Sequence, residues 1–131
     1  MTKQDKVKNL YDSIRNNFYL CRDDINVGSD KFNSALLFGT LTELNKGKQL
    51  LYGEYGGGKT TSAEYLHSLF NALPIDIVRR AVIRGNPQLT QEKIIGRPDY
   101  GKMHQGKEDV VWQNFVLMPQ KIVDEFNRIP E

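Results

Sequence analysis

Gly53-Glu54-Tyr55-Gly56-Gly57-Gly58-Lys59-Thr60 fits the pattern G-x-x-x-x-G-K-[ST] at every fixed position. The chemistry follows from the residue types. Glycines let the backbone turn until successive N–H groups converge on phosphate oxygens. A helix starting near Lys59 adds the positive end of its dipole. Lys59 is spaced to reach the β- and γ-phosphates of a nucleoside triphosphate, and the Thr60 hydroxyl to bind Mg²⁺. The flanks agree with this. Gln49 to Gly53 is apolar, too short for a helix, and reads as a short buried strand. Thr60 to Leu73 carries Ala63, Leu66, Leu69 and Phe70 at helical spacing, and Pro74 stops it.

Before the strand, Val7, Leu10, Tyr11, Ile14 and Phe18 alternate with charged residues at helical spacing, which predicts an amphipathic helix over Lys3–Phe18. Cys21 to Gly28 reads as a connection. A second helix is expected to be capped by Ser29 or Asp30, to bury Phe32, Ala35, Leu36 and Leu44, and to end at Asn45-Lys46-Gly47. After the loop, the β-branched run Ile77 to Ile83 predicts a second strand, broken by Gly85-Asn86-Pro87. Thr90 to Gly106 reads as loop with a turn of helix at Gln91–Ile95. Val110-Val111-Trp112 and Phe115-Val116-Leu117 are expected to form a small hairpin around Gln113-Asn114. Lys121 to Glu125 reads as a strand ending in two acids. This alternation predicts an α/β domain with a largely parallel sheet.

Asp124-Glu125 is the second constellation. Beside a phosphate loop, an aspartate at a strand end can hold Mg²⁺ through water, and a glutamate after it can polarise an attacking water. His67 falls within the helix after the loop and reads as a packing or surface residue. His104 has no second ligand at metal spacing.

Bulk properties narrow the field. The chain has 131 residues, one domain's worth of core. A net charge of +2 does not call for nucleic acid or an anionic membrane, and the basic residues Arg79, Arg80, Arg84, Arg97 and Lys102 are scattered. With Cys21 the single cysteine, no internal disulfide forms within the chain. No leader-like apolar core and no membrane-length apolar run is present, so a cytoplasmic protein is expected.

Three motifs in order carry a resemblance. Val123-Asp124-Glu125-Phe126-Asn127-Arg128-Ile129-Pro130 resembles the Walker B signature of the MoxR branch of AAA+ ATPases. Ile83-Arg84-Gly85-Asn86-Pro87-Gln88-Leu89 through Ile94-Ile95-Gly96 is similar to that family's second strand and the turn after it. Val27-Gly28 resembles the short box that lies against the adenine in AAA+ proteins. Arg84, Gln88 and the Tyr55-Gly56 pair depart from the family's usual residues.

The resemblance implies a P-loop NTPase of the AAA+ type, a three-layer αβα sandwich that is incomplete here. It implies residues 1–24 as an N-terminal helix and connection, and 25–131 as the core through Walker B. ATP and Mg²⁺ are the implied ligands. Gly53, Glu54, Tyr55, Gly56, Gly57, Gly58, Lys59, Thr60 and Thr61 would bind nucleotide with Val27 and Gly28. Thr60 and Asp124 would hold the metal, and Glu125 with Lys59 would act in catalysis. A hexameric ring that remodels or matures client proteins is implied, often with a von Willebrand factor A-type partner. The family's sensor strand, arginine finger and lid come after Walker B, where this sequence ends at Glu131. A chain lacking them is expected to bind nucleotide without turnover and to self-associate over its exposed sheet edge. An AAA+ relative acting on DNA, such as a helicase or helicase loader, is the other reading.

Overall fold

A computed structural model describes residues 2–17, 22–54 and 56–129. Phe18, Cys21, Tyr55 and Pro130, all named above, lie outside the described residues. The fold is mixed α/β, and the chain divides into two compact units, 1–70 and 71–131.

The first unit opens with helix α1, Lys3–Asn16. Thr2 starts it through a reciprocal cap: its hydroxyl accepts from the Asp5 N–H (3.2 Å), and its own N–H donates to the Asp5 carboxylate (2.7 Å). Strands β1 (Ile25–Val27) and β2 (Asp30–Phe32) form an antiparallel hairpin in which Val27 faces Asp30. The expected helix start at Ser29 or Asp30 is therefore corrected. Gly28, at φ +64°, opens a two-residue connection that suits a tight hairpin, so the strands pair before any helix begins. Asn33 then caps α2 (Ser34–Asn45), accepting from the Leu36 N–H at 3.0 Å. Its end is as expected: Lys46 turns left-handed (φ 50°) and the Gly47 N–H returns to the Thr42 carbonyl. Leu36 is fully buried, whereas Leu44 is exposed rather than inward.

Helix α3 covers Lys59–Asn71. Its Leu66 joins Tyr11, Ile14 and Leu36 in the core of this unit. The rings of Tyr11 and Phe32 meet edge-to-face at 5.0 Å, and the Tyr11 hydroxyl accepts from the Asn33 N–H at 2.6 Å. Gly39 allows α2 and α3 to approach, because a Cβ there would run into Leu66. His67 is buried rather than on the surface.

The buried strand expected at Gln49–Gly53 is absent. The segment is extended coil in which Leu50 is 70% and Tyr52 99% exposed. An apolar run becomes a strand only where a neighbour pairs with its backbone, and among the described residues none does.

The second unit contains α4 (Ile75–Ala81), β3 (Ile83–Arg84), α5 (Gln91–Ile94), β4 (Gly96–Pro98), α6 (Tyr100–Met103), β5 (Val110–Trp112), α7 (Asn114–Leu117) and β6 (Val123–Asp124). A 3₁₀ turn over Phe126–Arg128 follows. The strand expected at Ile77–Ile83 is a helix for most of its length. Pro74 immediately precedes the first turn, Asp76 sits near the helix start, and Arg79 and Arg80 sit near its end. Val78 and Ala81, three apart, are the buried pair. These local signals outweigh the β-branched composition. The turn at Gln91–Ile94 is as expected. The Val110–Leu117 hairpin is not: β5 pairs antiparallel with β4, and 114–117 coils into a helical turn. Gly96 permits that pairing, since a Cβ there would collide with the β5 backbone at Val111 and Trp112.

The largely parallel sheet is corrected too. Among the described residues there are three two-stranded sheets, and only β3–β6 is parallel, with Ile83 opposite Val123 and Arg84 opposite Asp124. Two of the strands expected to widen it became coil and helix. No helix among the described residues is long and apolar enough to cross a membrane.

Candidate functional site

The glycine loop is built by conformation rather than by crowding. Gly56 (φ +83°) and Gly58 (φ +70°) lie in the left-handed region, and a Cβ on either would meet open space. What these positions require is the backbone freedom of glycine. Gly53 (φ +154°) makes the turn into the loop from the extended segment. The Lys59 ammonium donates back to the Glu54 carbonyl at 2.5 Å, bridging the loop from its end to its start.

Lys59, Thr60 and Thr61 form the first turn of α3, where N–H groups face out of the helix end without an intrahelical acceptor. The first i to i−4 bond reaches from the Ser62 N–H to the Gly58 carbonyl at 2.8 Å. Open N–H groups at a helix start beside an ammonium are chemically suited to receive an anion. Tyr55 lies outside the described residues.

A cavity of about 650 Å³ opens beside this loop within the first unit. Glu54, Gly56, Gly57 and Lys59 of the loop line it, as do Asp24 and, from the start of α2, Ser34, Ala35 and Phe38. Ser34 donates to the Asp24 carboxylate from its hydroxyl (2.5 Å) and its N–H (2.6 Å). These bonds, the hydroxyl's first, hold the Asp24 carboxyl below the usual carboxylate range against a smaller opposing effect of burial. Val27 and Gly28 sit at the hairpin tip, and neither lines the cavity.

The acid pair belongs to the second unit. Asp124 ends β6 half-buried, and its carbonyl accepts from the Gly85 N–H at 2.8 Å. Gly85 has to be glycine for a steric reason, because a Cβ there would run into the Glu125 carbonyl. Glu125 leaves the strand in a left-handed conformation (φ 50°). Its N–H donates to the Asp124 carboxylate at 3.0 Å, and its own carboxylate pairs with Arg128 at 3.2 Å. Both side chains of that ion pair are well exposed, so it is weak.

The structure thus gathers Gly53, Glu54, Gly56, Gly57 and Lys59 and the start of α2 around one cavity. It sets Asp124 and Glu125 at the end of the one parallel pair of strands. Sequence reading missed Asp24, Ser34 and Phe38 as cavity residues. The one available signal was Asn33, a good helix cap three residues before Leu36. Among the described residues no cluster of three or more His, Cys, Asp or Glu side chains is arranged to hold a metal on its own. No family model matches this chain, and no curated protein or solved structure matches it either.

Proposed function

We propose that this chain is the ATP- and Mg²⁺-binding portion of a P-loop NTPase of the MoxR-like AAA+ type, with the three-layer αβα architecture of that class. One observation carries the proposal. The glycine loop has its left-handed turns at Gly56 and Gly58, its helix end open, and the Lys59 ammonium drawn over the Glu54 carbonyl. A triphosphate tail offers this cradle anionic oxygens in place of that single carbonyl, and charge-assisted bonds of Lys59 to phosphate are the stronger ones.

The donor set suits the metal as well. A threonine hydroxyl and an aspartate are hard oxygen ligands of the kind Mg²⁺ takes alongside phosphate and water. When bound, Mg²⁺ would neutralise charge developing on the transferring phosphoryl group. Thr60 would hold it and Lys59 would steady the β- and γ-phosphates, while the resemblance assigns metal binding to Asp124 and activation of the attacking water to Glu125. In the whole protein, the proposal extends to a hexameric ring acting on client proteins, with a von Willebrand factor A-type partner.

The test is ATP binding by calorimetry, with steady-state phosphate release, for the parent chain and for Lys59→Ala and Glu125→Gln. Lys59→Ala should weaken ATP about a hundredfold, the scale of a lost charged hydrogen bond. Unchanged affinity in that variant would remove the assignment. Glu125→Gln should keep binding, and any hydrolysis the parent shows should disappear.

A further inference from the structure

The geometry points to Phe38 of α2 as the platform on which the nucleotide base stacks, with the triphosphate in the glycine loop across the same cavity. The inference rests on the reading of that loop as a triphosphate site, and it gives the base a different seat from Val27-Gly28.

Three observations on one cavity support it. The cleft is open and about 650 Å³, room for a small ligand, and residues outside the glycine loop also line it. Ser34, Ala35 and Phe38 line it from α2, while Leu36, Gly39 and Thr40 of the same helix are buried. Phe38 is 52% exposed, an aromatic ring turned to the cavity and not spent on the core. Every nucleobase has a flat face that such a ring can take.

Charge sets the orientation. Lys59 lines the cavity from the loop, and the Asp24 carboxylate, held by Ser34, lines it beside the start of α2. A phosphate placed against α2 would meet that carboxylate, whereas a neutral base would not. The tail therefore belongs to the loop and the base to Phe38. Stacking reads shape more than edge hydrogen bonds, so ATP and GTP should bind within a few-fold of one another.

The experiment is a competition series with Mg²⁺ present, using ATP and inorganic tripolyphosphate against the parent, Phe38→Ala and Phe38→Trp. Far-UV circular dichroism and a thermal melt report on folding. Phe38→Ala should weaken ATP about tenfold, the scale of one base–aromatic stack, and leave tripolyphosphate unchanged. Phe38→Trp should hold ATP at least as well as the parent. Unchanged ATP affinity in Phe38→Ala would overturn the inference. So would an equal loss for ATP and tripolyphosphate, since the effect would then act through the loop or the fold. If neither ligand binds the parent, the triphosphate reading fails first and this inference falls with it.

Discussion

The glycine loop and the acid pair are held in place by different means. The loop spans a few consecutive residues, and its shape is written in local backbone freedom: left-handed turns at Gly56 and Gly58, a helix beginning at Lys59, and a lysine folded back on Glu54. The acid pair depends on residues about forty positions away along the chain. Asp124 is fixed because β6 lies parallel to β3, and Glu125 turns out because Gly85 leaves room for its carbonyl. A site made of local conformation tolerates change elsewhere. One made by strand pairing fails when the neighbouring strand is altered.

Gly85→Ala is the sharpest way to break that contrast. The new Cβ meets backbone atoms of Glu125, which cannot swing aside as a side-chain end can. We expect a loss of about 3 kcal/mol in stability, read from the denaturant midpoint, the upper range for overpacking. ATP affinity of the molecules that remain folded should stay near that of the parent. A variant as stable as the parent would show that β3 and β6 are not held this closely.

Gly58→Ala tests the other side of the comparison. Forcing alanine to φ +70° costs about 1–2 kcal/mol. This strain falls on the loop alone, so ATP should bind about tenfold more weakly with helix content unchanged. Equal affinity would mean that the loop binds in another backbone conformation.

Asp24→Asn probes a smaller effect at the α2 side of the cavity. The hydrogen bonds from Ser34 depress the folded-state pKa of Asp24. Its contribution is therefore complete above the unfolded value, about 3.9, and is lost as pH falls through the lower folded value. The parent should lose melting temperature on acidification below about pH 4. The asparagine variant should start slightly lower at neutral pH and show a shallower acid slope. Identical slopes would remove Asp24 from the acid response.

The parts legible in the sequence share a property. The helices at Lys3–Asn16 and Lys59–Asn71, the stop at Lys46-Gly47 and the glycine loop all arise from neighbours within a few residues. The misreadings share the opposite one. Gln49–Gly53 has a strand's composition but no paired neighbour, and Ile77–Ile83 has β-branched residues overruled by Pro74 and by the charges at its two ends. Trp112 pairs back to Gly96 rather than forward to Phe115, a choice between long-range partners that spacing cannot make. At the site, the loop could be read residue by residue, whereas nothing in the spacing of the second helix singled out Phe38.

The sequence by itself determined the loop, because glycine's access to left-handed conformations and the open end of a helix are properties of consecutive residues. Only the tertiary structure decided that Asp24 and Phe38 line the same cavity as that loop, and that β6 lies beside β3. Which distant backbone or side chain fills a space depends on every element packed around it. No local pattern carries that information.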